Sequence, residues 1–270
     1  MTNPSAPPVA HLPSLYVPHG GGPCFFMPDP HGTWTGMETY LRGLATSLPT
    51  RPKAILIVSG HWEGSGFSFT GAERPPLLFD YYGFPSHTYE IAYPVPGAPW
   101  LADRAATLLR AAGVTASIDD TRGLDHGVFV PMKVAFPAAD VPIVEMGLDA
   151  SLDPALHMRA GAALASLRDE GVLIIGSGMS FHNLGAYGDP RVAEPSSAFD
   201  QWLTQAAQSA PAERADLLGR WAQAPYARFC HPREEHLLPL MVAAGASSAA
   251  GHHDYGELVM GGAVSAYRFP

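Results

Sequence analysis

Short apolar runs alternate with longer amphipathic stretches along this chain, and that alternation restricts its fold more than any other feature. Leu15–Val17, Ala54–Ser59, Val114–Ile118, "VPIVEMGL" and Val172–Ile175 predict buried strands. Between them, Met37, Leu41, Leu44 and Leu48 recur at helical spacing before Pro49, and "WLADRAATLLRAAG" forms a second helix ending at Gly113. "PALHMRAGAALASLRDEG" opens on Pro154 and closes on Gly171, as helices do. Strands interleaved with helices predict an α/β fold: one domain over 14–270, a central mixed sheet with helices on both faces, and a site at the carboxyl ends of the strands. Further helices are expected over Ser196–Gln208, Ala212–Gln223 and His231–Ala244, with closing strands at Glu257–Met260 and Ala263–Phe269. The stretch from Gly64 to Pro99 is rich in Gly, Pro and Tyr and too long for a simple connection, which marks it as a functional loop.

The first 13 residues, "MTNPSAPPVAHLP", read as a flexible Pro-rich tail, without the charged and apolar segments of a secretory signal. The apolar runs fall far short of the roughly 20 residues needed to cross a bilayer, so no membrane is expected as a partner. Acidic residues outnumber basic ones, 25 to 16, and the basic ones are scattered, which argues against nucleic acid. The two cysteines, Cys24 and Cys230, are too few and too far apart for a disulfide framework or a thiolate zinc site, so a reducing, cytoplasmic setting is the simplest expectation.

Twelve histidines in a chain with only 15% charged residues point to imidazole chemistry. Three of them follow predicted strands: His19 in "LYVPHGGGP", His61 in "ILIVSGHWE" and His182 in "VLIIGSGMSFHNL". A lone loop histidine is ordinarily solvated or a hydrogen-bonded packing residue, but three at equivalent strand ends imply a shared site. His126, in "RGLDHGVFVP", is placed to join its rim. The glycines of "HGGGP" and "GSG" let backbone approach a ligand closely or make tight turns; no Gly-Lys-Ser/Thr follows Gly22, so this is not a phosphate loop. Of His231 and His236, only one can serve the site, because five helical residues turn a side chain through about 140° net. His236, followed by the apolar "LLPL", is the better candidate, and His11, His31, His87, His157, His252 and His253 lack a comparable context. Neutral imidazoles without thiolates suit Zn²⁺ or Fe²⁺ rather than a hard cation. Tyr81, Tyr82, Phe84, Tyr89 and Trp62 could line an aromatic pocket or simply pack on the core.

"VPHGGGP", "SGHWE", "GLDHGVFVP", "GSGMSFHNL" and "HPREEHLLPL", in this order, resemble the DOPA-dioxygenase type of class III extradiol ring-cleaving dioxygenases, from about Leu15 to the C-terminus. The resemblance implies a non-haem Fe²⁺ enzyme, able to hold Zn²⁺ as a bound ion, that uses O₂ as co-substrate to open the ring of a small aromatic diol. It implies His19, His61 and His236 as metal ligands, His182 as the acid/base, and His126 as a group touching substrate or oxygen. The wider superfamily commonly uses two His and one Glu; here the third position is His236, with Glu235 beside it. From the residues alone, two rivals stand beside this reading: a three-His zinc hydrolase of an ester or amide, and a metal- or ligand-binding protein without catalysis.

Overall fold

The computed structural model describes residues 11–270. Its strands are β1 (Ser14–Pro18), β2 (Ala54–Gly64), β3 (Phe67–Thr70), β4 (Ala116–Asp119), β5 (Ile143–Asp149), β6 (Val172–Gly178), β7 (His252–Val259) and β8 (Gly262–Phe269). They form one eight-stranded sheet in the order β4-β3-β5-β2-β6-β1-β8-β7. The central four, β5, β2, β6 and β1, run parallel, whereas β8 and β7 add antiparallel at one edge, and β3 pairs antiparallel with β5 at the other. The sheet is therefore mixed, as expected.

Successive side chains of a strand point to opposite faces, and both faces of the central strands are covered. Leu56, Val58, Val144 and Ile174 belong to the larger core. That core is roofed by α2 (Pro99–Ala111), α4 (Pro154–Leu164), α5 (Ala193–Gln208), α6 (Pro211–Gly219), α7 (Ala227–Cys230) and α8 (Leu238–Gly245). Ile55, Ile57, Ile143 and Ile175 belong to the other, packed against α1 (Thr35–Leu44) and α3 (His126–Ala135). Burial on both sides is why these strands are continuous apolar runs rather than alternating ones. No helix among the described residues is long and apolar enough to cross a membrane.

Several elements differ from the sequence expectation. The helix expected over His231–Ala244 begins only at Leu238, and residues 231–237 form irregular turns. Pro239 explains this, since a proline lacks the N–H and clashes one turn back, so it fits only the first turn of α8. The rotation argument that separated His231 from His236 therefore rested on a helix that is not there. α3 forms where only a short apolar segment was expected, and the Gly64–Pro99 stretch contains β3 and a 3-10 turn at Ser86–Glu90. Of the tail expected over 1–13, residues 1–10 lie outside the described residues; Leu12 is fully buried, and its carbonyl accepts a 2.6 Å bond from Arg168 Nε.

Candidate metal centre

The parallel pairing of β1, β6 and β2 explains why three histidines arrive together. Val17 and Ser59 both lie opposite Ser177, so the three strands end side by side. His19 follows the end of β1 directly, and its N–H donates to the Gly178 carbonyl at 3.3 Å. His61 sits where the β2–β5 pairing shifts between Val58 and Glu63, a bulge that re-aims the side chain. His182 lies beyond β6, and His126 is the first residue of α3.

His236 comes from the turns before α8, and two glycines admit it. A Cβ on Gly60 would lie 2.9 Å from the Glu235 carbonyl oxygen, and one on Gly178 would lie 2.1 Å from that of His236. The close approach read from "GSG" thus serves the chain segment that carries His236. That segment is pinned there: the His236 carbonyl accepts from Tyr16 Oη at 2.8 Å and from the Met179 N–H at 3.2 Å.

His19, His61 and His236 each offer a ring nitrogen, and these atoms all lie within 4.8 Å of one another. The Nδ1 atoms face outward to oxygen: His19 Nδ1 lies 2.9 Å from the Gly20 carbonyl, His236 Nδ1 2.9 Å from Glu235 Oε1, and His61 Nδ1 3.6 Å from Asp80 Oδ2. An Nδ1–H that donates outward leaves Nε2 as a lone-pair donor, the arrangement in which protein imidazoles bind metals. His61 Nε2 and His236 Nε2 are 3.2 Å apart, and the buried His19 Nε2 has no hydrogen-bond partner among the described residues. Burial lowers the pKa of all three, with additional depression by neighbouring imidazoles: His61 falls to about 4, His19 and His236 well below their ordinary value. The bond to Glu235 opposes this at His236 without reversing it. All three are therefore neutral at pH 7, the state a ligand must have, and the donor set fits a borderline divalent ion such as Fe²⁺ or Zn²⁺.

Two carboxylates flank this group. Asp80 Oδ1 accepts from the His126 ring at 2.7 Å and from its backbone N–H at 3.0 Å, while Oδ2 faces His61. Glu235 Oε1 lies 3.1 Å from His182 Nδ1 as well as 2.9 Å from His236 Nδ1. The His182 and His236 rings stack at 3.4 Å between centroids. Burial opposes ionisation of both acids, yet the bonds and charges of the adjacent histidines outweigh it and hold both pKa values below the ordinary range. Each acid, with its two histidines, forms a further group of potential ligands. In those groups, however, the carboxylates are already engaged, Asp80 as acceptor for the His126 ring and Glu235 for the His236 ring, so each orients an imidazole and the three Nε2 atoms remain the converging donors.

A second polar network lies behind His61. The His61 N–H donates to Ser59 Oγ at 3.2 Å, Ser59 Oγ to Asp125 Oδ1 at 2.8 Å, and the Asp125 N–H to Glu145 Oε2 at 2.9 Å. Burial, then the charge of Asp125, raises the Glu145 pKa well above the usual range. These links hold the bulge of β2 in one shape.

The five histidines His19, His61, His126, His182 and His236 all line one cavity of about 450 Å³. Tyr81, Tyr82 and Phe84 from the long loop also line it, whereas Tyr89 does not, and Trp62 packs instead against Gly147 under Arg122. His231 is buried elsewhere: its Nε2 is 2.9 Å from the Ser180 carbonyl, between Phe199 and Trp221. Sequence reasoning missed Asp80 and Trp34. Asp80, in "LLFDYYGF", stood among aromatic residues inside the stretch marked as functional, and that was the available signal.

Residues 8–266 match the family model described as the catalytic LigB subunit of aromatic ring-opening dioxygenase. A dioxygenase from Hapsidospora irregularis is 39% identical over 257 residues, covering 87% of this chain and 78% of that one. The 4,5-DOPA dioxygenase extradiol of Beta vulgaris is 39% identical over 214 residues, 77% of each chain, and that of Escherichia coli K12 is 34% identical over 239 residues, 87% of this chain and 85% of that one. The crystal structure of an uncharacterized protein from E. coli K12 superposes with a TM-score of 0.74 at 28% identity, covering 96% of this chain and all of that one.

Proposed function

Because the chain belongs to the family of the catalytic LigB subunit of aromatic ring-opening dioxygenases and is such an oxygenase, we propose that it opens the ring of a catechol beside one hydroxyl, at a divalent metal held by His19, His61 and His236. The observation that carries this reading is the set of three neutral imidazoles whose Nε2 atoms converge while their Nδ1 atoms face outward to oxygen. Family membership sets aside the hydrolase and the non-catalytic alternatives. Fe²⁺ held by these three residues would supply redox chemistry for a diol and O₂ that redox-inert Zn²⁺ would lack.

The chain's own part is to orient the diol and move its protons. His182 lines the cavity with Nδ1 3.1 Å from Glu235 Oε1, and the tautomer with its proton on Nδ1 leaves Nε2 as a base suited to taking a proton from a catechol hydroxyl and returning it to the product. Glu235 stabilises the imidazolium formed in between. His126, tied through Nδ1 to Asp80, presents a second such nitrogen beside the His61 ring, at 4.0 Å between centroids. Tyr81 and Phe84 offer ring faces and edges against which an aromatic substrate packs.

The test is to load the protein with Fe²⁺ without oxygen, add a catechol, admit air, and follow oxygen uptake with the absorbance of the ring-opened product. One O₂ consumed per catechol is expected. His19→Ala, His61→Ala and His236→Ala should each lose metal and activity together. Metal loss on His182→Ala with retention in those three variants would reverse the assignment.

A further inference from the structure

The wall of the cavity beyond the five histidines is made of Trp34, Tyr81, Phe84, Met179, Leu184 and Met260, with other tyrosines and glycines, and carries no Lys, Arg, Asp or Glu. Among the described residues, no basic side chain lines the cavity. The nearby guanidinium groups are engaged. Arg233 makes a two-pronged pair with Glu63 at 2.5 and 2.6 Å, and Arg122 lies over Trp62 with its Nη2 3.3 Å from Asp125. The acids next to the site, Asp80 and Glu235, are both committed to histidines, and Arg233 Nη1 also lies 3.5 Å from Glu235 Oε2.

The mouth has the same character. Tyr82 is 91%, Leu184 72% and Met260 43% exposed, and all three line the cavity. Single exposed apolar residues are ordinary, but three around one opening form a patch with a use. The cavity's size, about 450 Å³, lies in the range of sites that enclose ligands larger than a bare ring, roughly 300–1,000 Å³.

We propose that this enzyme selects catechols whose ring substituent is uncharged and apolar, the substituent running from the histidines past Trp34 and Met179 to Leu184 and Met260 at the mouth. This deepens, and rests on, the ring-opening reading above. A diol is drawn in by the metal whatever its substituent, so discrimination falls on the remainder of the molecule. A carboxylate on that remainder would leave water without gaining a cationic side chain. A hydrocarbon substituent would instead bury the apolar rim and displace water from it.

The experiment compares 4-propylcatechol with 3-(3,4-dihydroxyphenyl)propionate, which differs from it by one carboxylate, and adds dopamine and DOPA as charged controls. kcat/KM is measured on the Fe²⁺ enzyme, and Kd without turnover on the Zn²⁺ form. The neutral compound is expected to lead by tenfold or more in both measurements. Leu184→Arg, at a position exposed enough to accept it without refolding the core, should raise kcat/KM for the propionate by about tenfold, and Leu184→Glu should lower it further. Equal or better use of the propionate, dopamine or DOPA by the unaltered enzyme overturns the proposal while leaving ring opening intact. Failure to bind or open any of the four overturns the ring-opening reading and this inference with it.

Discussion

Asp80 and Glu235 perform the same task on opposite flanks of the histidine cluster, but not equally. Asp80 grips His126 through two bonds, from the ring at 2.7 Å and from the backbone N–H at 3.0 Å, and stands 3.6 Å from His61, beyond hydrogen-bond range. One oxygen of Glu235 instead lies within 3.1 Å of both its histidines, and these rings are stacked on each other. The difference follows from where each acid is built. Glu235 adjoins His236 on a segment clamped to β1 and β6 by Tyr16 and Met179, whereas Asp80 arrives from an irregular loop. The Glu235 flank thus couples a ligand candidate to His182, the proposed acid/base; the Asp80 flank chiefly fixes His126.

The largest consequence concerns the two outer histidines. His182→Ala should lower kcat by about 10²–10⁴-fold with metal content unchanged, the range expected on losing a positioned general base. His126→Ala should cost less, because its flank is only loosely joined to His61. Stopped-flow rates beside metal analysis check this, and equal losses in the two variants would remove the asymmetry.

A buried histidine outside the cluster shows what burial alone does to an imidazole. His231 has only the Ser180 carbonyl as partner, and burial pushes its pKa down to about 4 despite that bond. A pKa lowered on folding gives stability that is present above the unfolded value, near 6.5, and is lost as pH falls from there through 4. The full effect is about 3 kcal/mol by linkage. Urea unfolding of the wild-type chain and of His231→Gln at pH 7 and pH 4 should show the wild type losing more, by up to that amount. Equal acid sensitivity would mean that His231 is protonated in the folded state.

How much of this was legible in the sequence depends on what fixed each residue's place. Continuous runs such as Ala54–Ser59 and Val172–Ile175 showed strands buried on both faces, and parallel neighbours necessarily end at one edge, so the meeting of His19, His61 and His182 could be read from pattern alone. His236 was chosen from its apolar followers under the assumption of a helix, whereas its position comes from the space left by Gly60 and Gly178. No periodicity records such a long-range fit. The first-turn proline at Pro239 did carry the true start of α8, and was outweighed by "HPREEH", which reads like a helix entry. Asp80 lay in a loop without a period, where only tertiary contact with His126 distinguishes it from other acids.

The sharpest test exchanges each flanking acid for its amide. Glu235→Gln keeps an oxygen that can accept from one imidazole but removes the charge and the shared grip on two; Asp80→Asn does the same on the other flank. A carboxylate behind a ligating histidine fixes its tautomer and raises its basicity, and losing it typically costs 10–100-fold in metal affinity. Glu235→Gln should fall in that range by chelator competition, and Asp80→Asn should change affinity by only about threefold, because its carboxylate is too far from His61 to serve it directly. The Asp80→Asn loss should appear in turnover instead, and combining it with His126→Ala should add little, since both act through one imidazole. An Asp80→Asn variant that loses metal as readily as Glu235→Gln would show that the 3.6 Å separation closes when the ion is bound, making the two flanks equivalent in the working enzyme.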